Sequence, residues 1–257
     1  MKRAPFFIPV FTLAQRETRR FLRIWLQSLL PPVMTAALYF LIFGQVIGSR
    51  MKLIDGLPYI DYIVPGLVLM PVFNAAFSNV SSSFFSSKLM RSIDLLLMSP
   101  MSNNAILLGF LIPCILRATL LATLVLGVAL CFTHMKIDHL ILLYTIIILS
   151  GALFGLLGLI NGIFAKSFDG IAFIPTFVIM PLTYFSGVFY AISMLPHWAQ
   201  ILSHFNPIYY IVSAAKFAFL GIAGFHAIIG MITLVVITFL LYLLCLSLLT
   251  NSKGLRP

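Results

Sequence analysis

Residues 140–165, LILLYTIIILSGALFGLLGLINGIFA, contain no charged side chain. A helix needs about 20 such residues to cross the roughly 30 Å hydrocarbon core of a bilayer, where only helices and closed barrels satisfy their own backbone. Five further runs are comparable, and the spans expected from the sequence are 26–47, 59–80, 105–132, 140–165, 170–191 and 227–250. No stretch alternates polar and apolar residues as a barrel strand does. The expectation is therefore an all-α membrane protein with six transmembrane helices, forming a single transmembrane domain over 1–257. Composition agrees: 61% of residues are hydrophobic and 9% charged, against about 25% charged in soluble domains.

The basic residues fix an expected orientation. With the N-terminus in the cytoplasm, that side holds eleven cations: Lys2, Arg3, Arg16, Arg19, Arg20, Arg23, Lys88, Arg91, Lys166, Lys253 and Arg256. The outer side holds four, namely Arg50, Lys52, Lys136 and Lys216, while Arg117 falls inside a span. Excess positive charge stays inside, so both termini are expected in the cytoplasm. The first residues, MKRAPFFIPVFTLA, resemble a secretory signal, but the four arginines that follow oppose translocation and cleavage is not expected. A net charge of +10 invites a nucleic-acid reading. The cations, however, border apolar runs, where membrane lipid head groups meet them, so no nucleic-acid partner is expected. Cys114, Cys131 and Cys245 lie in apolar runs and read as small packing residues.

Two amphipathic segments lie on the expected inner face. At 100° per residue, Phe11, Ala14, Thr18, Phe21, Leu22 and Trp25 share one arc, and Arg16, Arg19, Arg20 and Arg23 share another. Residues 10–25 thus read as an interfacial helix, either a plain anchor or one that also touches a cytoplasmic partner. In the segment 84–103, Leu89, Met90, Ile93, Leu96 and Leu97 take one helical face, while Lys88, Arg91 and Asp94 lie opposite, with Arg91 and Asp94 within reach of each other. Leu95 and Met98 stand on the charged face, and Pro100 ends the helix. Such a surface suits docking; a solvated, charge-decorated loop is the plainer reading. On the outer side, residues 192–226 are too short and too broken by Pro196, Pro207, Gly221 and Gly224 for a crossing pair. They are expected to form a re-entrant hairpin of two short helices.

Several chemistries find no support. There is no Gly-Lys dipeptide and hence no phosphate-cradling P-loop, and no His-Glu-x-x-His. Neither a catalytic, a cofactor nor a metal site is expected on this chain. Ser186-Gly187 resembles the nucleophile region of intramembrane serine proteases, but Tyr184 stands where the preceding Gly belongs. Arg117 is the one strong intramembrane charge, and it sustains an alternative reading as a stand-alone secondary carrier or channel. Asn74, Asn79, Asn161 and Thr183 could line a path or bond between helices. Pro31, Pro32, Pro65, Pro71, Pro113, Pro175 and Pro181 kink the spans, and Gly151, Gly155, Gly158 and Gly162 give two Gly-x-x-x-Gly spacings for packing within one subunit.

The order of these parts resembles the membrane subunit of an ABC-2 type transporter. The most specific match is PLTYFSGVFYAISMLP (181–196) followed by NPIYYIVSAAKFAFLG (206–221), with Asn206, Pro207, Tyr209, Lys216 and Gly221 carrying the family pattern. Family members often have Arg at the position of Lys216. FLRIWLQSLLPPVMTAALYFLIFG and VPGLVLM further resemble inner-membrane permeases of Gram-negative bacteria. The resemblance implies a type V exporter-like half-transporter in the bacterial inner membrane. Two copies would form the path as a homodimer, and two separate ABC ATPase subunits, carrying ATP and Mg, would dock from the cytoplasm. It further implies that the segment Lys88, Arg91, Asp94, Leu95 and Met98 is the ATPase-coupling helix, that the N-terminal helix also touches the ATPase, and that the outer hairpin acts as an exit lid.

Overall fold

A computed structural model describes residues 6–48, 56–133, 137–221 and 225–250. Among the described residues the fold is helical throughout. Helix α1 (Phe7–Arg23) is followed, after a break at Ile24, by α2 (Trp25–Tyr39), which continues in wider turns over Phe40–Ile47. Then come α3 (Tyr59–Leu89), α4 (Ser92–Met98), α5 (Asn103–Phe132) and α6 (Leu140–Phe164). A broken helix follows: α7 (Phe168–Ile174), wide turns over Pro175–Ile179, and α8 (Met180–Tyr184). The chain finishes with α9 (His197–Phe205), α10 (Pro207–Leu220) and α11 (Phe225–Thr250).

Among the described residues, five helices are long and apolar enough to cross a membrane: Trp25–Gly44, Tyr59–Leu89, Asn103–Phe132, Leu140–Phe164 and Ala227–Thr250. The remaining expected span, 170–191, differs. Its apolar helix runs Phe168–Tyr184 and stops there. The cause is local: Gly187 takes φ +74°, a left-handed turn that ends the helical direction, and Ser186 turns its hydroxyl back onto the Thr183 carbonyl at 2.5 Å. At about 1.5 Å per residue, those 17 residues reach roughly 25 Å, short of a full hydrocarbon core. The span expected at 59–80 is instead longer, continuing to Leu89, and the separate helix expected from Lys88 begins only at Ser92.

Helix α3 is the centre. Most of its side chains are buried, with α6, α5 and α10 packed against it, while α1 packs on α5 and reaches α3 through polar side chains; α2 and α11 turn much of their surface outward. Close approach of α6 to α3 depends on the expected glycines. A Cβ on Gly158 would overlap the Phe77 carbonyl oxygen and stand 3.0 Å from its carbon, while Gly151 and Gly155 face Ala118 and Cys114 of α5 and Gly162 faces Ser81 and Phe84 of α3. Phe73 and Phe154 stack across the same seam at 4.5 Å. These glycines therefore pack helices within one subunit.

Gly158→Ala is expected to force α6 off the α3 backbone and cost about 1–3 kcal/mol as an overpacking substitution. Gly127→Ala, with nothing within 4 Å of the new Cβ, gains helix propensity and is expected to be neutral or stabilising. Thermal unfolding in detergent checks both; equal melting temperatures for the two variants would contradict this packing.

Candidate functional site

The two ends of α3 are tied down by polar contacts of different kinds. At the end nearest α4, helix α1 does not lie with its arginines turned away from the bundle. Val10, Leu13, Ala14, Glu17 and Phe21 form its buried face, with Leu13 against Gly109 of α5, while Phe11, Leu22 and Trp25 stay exposed. The expected apolar arc is thus split, because α1 has two apolar faces and the bundle takes the one that contains Glu17. Glu17 is only 3% exposed. It accepts hydrogen bonds from Arg20 Nε at 2.9 Å and from the Ser83 hydroxyl, with Arg16 Nε 3.7 Å away. Arg20 Nη2 also donates to Asn79, at 2.8 Å to the side-chain oxygen and 3.1 Å to the backbone oxygen. Arg16 Nη2 reaches the Ser87 hydroxyl at 3.4 Å. Arg19 and Arg23 remain exposed. The buried carboxylate is balanced by a charge-assisted network, so α1 is clamped to α3. Glu17 was the residue that pattern reading missed, although one acid among four arginines, three positions before Arg20, was the available signal.

The α4 segment is a helix hung on a bent hinge. Arg91 adopts φ 54°, a left-handed conformation uncommon for a side-chain-bearing residue. It turns the chain from α3 into α4. Lys88 consequently belongs to α3, and its Nζ donates to the Ile163 carbonyl at 2.7 Å, a cation on the open carbonyls of the α6 C-terminus. It is turned into the bundle, contrary to the expected outward face. Within α4, Ile93 is 1% exposed and Leu96 and Leu97 pack on the core, as the periodicity predicts. Leu89 and Met90 fall on the other side of the hinge and are exposed. Leu95 and Met98 are 72% and 83% exposed. Among the described residues no ion pair joins Arg91 to Asp94.

At the opposite end, the motif residues act as joints. Asn206 is buried and caps α10: its Oδ1 accepts from Ile208 N at 2.9 Å, and its Nδ2 donates to the Leu182 carbonyl at 2.5 Å. Pro207 occupies the first helical position, where a missing N–H costs nothing. Lys216 Nζ donates to the Gly187 carbonyl at 2.8 Å and lies 3.6 Å from the Tyr62 ring centroid. Gly221 caps α10 with φ 65°, beside Asp138, and His139 N donates to the Ala218 carbonyl at 2.9 Å. Tyr209 meets the His204 ring edge-on at 5.5 Å.

The intramembrane polar residues divide. Asn161 Nδ2 bonds Ser81 Oγ and the Ile171 carbonyl, both at 3.1 Å, and thereby holds α6 to α3 and α7. Thr183 bonds the Ile179 carbonyl of its own helix at 2.7 Å, and Asn79 is taken by Arg20. Asn74 and Arg117, by contrast, line one cavity of about 400 Å³ among α2, α3, α5 and α8. Arg117 Nη2 donates to the Ser28 carbonyl at 3.3 Å, the carbonyl left open because Pro32, four residues on, has no N–H. Ser186 donates within its own turn, and among the described residues no cluster suited to a metal ion occurs.

These features define a multi-pass helical membrane protein whose polar residues are joints and one cationic cavity. Comparison with known proteins specifies it further. The family model for the ABC-2 type transporter matches residues 9–220. The chain is 41% identical to the inner membrane transport permease YadH of Escherichia coli over 251 residues, 98% of each chain. It is 26% identical to nodulation protein J of Sinorhizobium fredii over 200 residues, 77% of this chain and 75% of the relative, and 26% identical to nodulation protein J of Rhizobium leguminosarum bv. viciae over 200 residues, 76% of each. The chain belongs to the ABC-2 type transporter family, as its motifs suggested.

Glu17→Ala leaves Arg20 Nε and the Ser83 hydroxyl without their shared acceptor and is expected to lower stability by roughly 2 kcal/mol, less than a fully buried pair because Arg20 is part-exposed. Arg19→Ala is expected to stay within about 0.5 kcal/mol. Unfolding in mixed micelles separates them, and an equal effect would contradict the clamp.

Proposed function

We propose that this chain is the transmembrane permease subunit of an ATP-binding cassette exporter in the bacterial inner membrane. It works as a homodimer and is driven by two separate ATPase subunits that carry ATP and Mg. Both termini and the α4 end face the cytoplasm, in line with the distribution of basic residues. The short helix α7–α8 serves as a sixth span, completed on the outer side by α9 and α10 as a re-entrant hairpin. The joint between Asn206 and Leu182, and an apolar cavity lined in common by Ile208, Phe77 and Ile237, support that placement of the hairpin.

One observation carries the docking assignment. Helix α4 is anchored by Ile93 yet turns Leu95 and Met98 outward at the charged end of the bundle, where a water-facing surface would not place two large apolar side chains side by side. An ATPase groove that covers both would use them as anchors, with Arg91 and Asp94 on the rim. Nucleotide-driven closure of the ATPases then moves α4. Because α4 follows α3 through the tight Arg91 hinge, the push passes to α3 and, through the Glu17–Arg20–Asn79 clamp, to α1 and α2. The exposed Arg19 and Arg23 suit a second contact with the ATPase or with anionic lipid. Lys216 and Asn206 hold the hairpin that would act as outer lid.

The stand-alone carrier reading is weaker on the same ground: the Arg117 partner is a backbone carbonyl, and among the described residues no carboxylate pairs with it for proton exchange.

Leu95→Asp and Asp94→Arg are each expected to reduce co-purification with the cognate ATPase and ATP-dependent transport by roughly tenfold or more, the size of a lost interface anchor. The variants should fold normally, since both side chains are outside the core. Undiminished complex formation and transport in both variants would overturn the docking assignment, as would transport by the permease in liposomes without any ATPase.

A further inference from the structure

The surface of α3 left uncovered by its neighbours is a narrow one. Along the second half of the helix, Asn74, Ser78, Ser82 and Ser86 are half-buried while the residues between them are buried. Spaced four apart, they stand in one row along the helix. Over these twelve residues the row rises about 18 Å. It begins at the α4 end, next to the Ser87 that Arg16 reaches, passes the Asn79 that Arg20 binds, and ends in the Arg117 cavity, which Asn74 and Ser78 line. Ser82 bonds the Ser78 carbonyl at 2.6 Å and Asn74 the Met70 carbonyl at 3.3 Å, so the row is compatible with hydrocarbon yet keeps polar atoms on its open side.

At the cavity end of the row, no carboxylate among the described residues pairs with the Arg117 charge. Arg117 has five N–H donors. One bonds the Ser28 carbonyl, and Nε is buried without a hydrogen-bond partner. Among the described residues no carboxylate lines the cavity; Thr35, Tyr39 and Ser78 add hydroxyls, and much of the rest of the lining is apolar, with Pro31, Leu67, Met70 and Met180. Arg117 is half-buried; a cation held part-way out of water without a counter-charge is costly, and an anion placed there recovers part of that cost. Apolar walls beside it suit a chain, not a hydrated ion.

We propose that the α3 row and the Arg117 cavity form a recognition subsite for an anionic amphiphile, with the acidic head group on Arg117 and Asn74 and the apolar part against the α2 and α8 walls. The inference rests on the permease reading above and adds to it the chemical class of the cargo. Ser78 and Ser82 are positioning residues along the entry row, and Arg117 is the group that reads charge. The stretch of α3 that carries the row is the stretch that the Arg20–Asn79 clamp steadies.

The test uses the full-length permease without ATPase, in phosphatidylcholine nanodiscs, titrated with hexadecyl phosphate, hexadecylphosphocholine and inorganic phosphate. Hexadecyl phosphate is expected to bind at least tenfold more tightly than hexadecylphosphocholine, and inorganic phosphate is not expected to compete at equal concentration. Arg117→Gln should abolish the tenfold preference and Arg117→Lys should restore much of it. Ser78→Leu, which narrows the row and leaves the cation in place, should weaken hexadecyl phosphate binding about tenfold at an unchanged melting temperature. Equal binding of the two amphiphiles by the natural protein, competition by inorganic phosphate alone, or a preference that survives Arg117→Gln would overturn the proposal. The last result would leave Arg117 as a staple on the Ser28 carbonyl. Because no ATPase is present, failure here is separate from failure of docking at α4.

Discussion

Hydrocarbon offers no water to a buried polar group, so leaving one unanswered is costly, and most of those this chain carries into the membrane are answered by another part of the chain. Most of the answers meet on α3. Arg20 binds Asn79, Glu17 binds Ser83, Asn161 binds Ser81, and at the far end Tyr59 donates to the Phe189 carbonyl at 2.9 Å while Lys216 sits over Tyr62. Gly158 brings the α6 backbone against α3 so that these short side chains can reach. With one helix holding both ends of the bundle, a displacement of its α4 end cannot stay local. That property makes α3 a suitable transmitter between an engine on one side of the membrane and a gate on the other.

The same principle explains the breaks in the helices. Pro32 opens the Ser28 carbonyl and Arg117 fills it; the α6 C-terminus leaves carbonyls open and Lys88 fills one. Asn206 both caps α10 and holds the carbonyl of Leu182 beside the Gly187 turn. Kinks and chain ends are tolerated where a polar side chain from a neighbouring helix arrives. The helices α2 and α11 keep many large apolar residues on the outside, Trp25, Leu30, Met34, Ile232 and Phe239 among them, as surfaces for lipid or a second copy require.

Much of this was legible in the sequence because hydropathy acts over long windows. Five spans, the intrasubunit use of the four α6 glycines, and the inward turn of Ile93, Leu96 and Leu97 follow from composition and period alone. Three things did not. The expected 170–191 span runs through Gly187, and a left-handed turn is decided by one residue within an apolar run that hydropathy treats as continuous. The 3.6 period groups Lys88 with Arg91 and Asp94, but it runs through a hinge that a single φ interrupts. Glu17 was hidden because arginine-rich faces read as lipid-facing, and only the docked helix reveals that its acid points inward. The family motif was legible as a pattern, but the roles of Asn206, Lys216 and Gly221 as joints depend on partners 24, 29 and 83 residues away in sequence.

The proposed mechanism requires α4 to face the cytoplasm, where an ATPase can reach Leu95 and Met98. The direct measurement is side-specific labelling in a background with Cys114, Cys131 and Cys245 replaced. Met98→Cys and Asp138→Cys are exposed in turn to a membrane-impermeant maleimide on intact spheroplasts and on inverted vesicles. The proposed topology predicts that position 98 reacts only in inverted vesicles and position 138 only in spheroplasts. Reaction of position 98 in intact spheroplasts would put the handle on the wrong side of the membrane and contradict the orientation, the ATPase partner and the export role together.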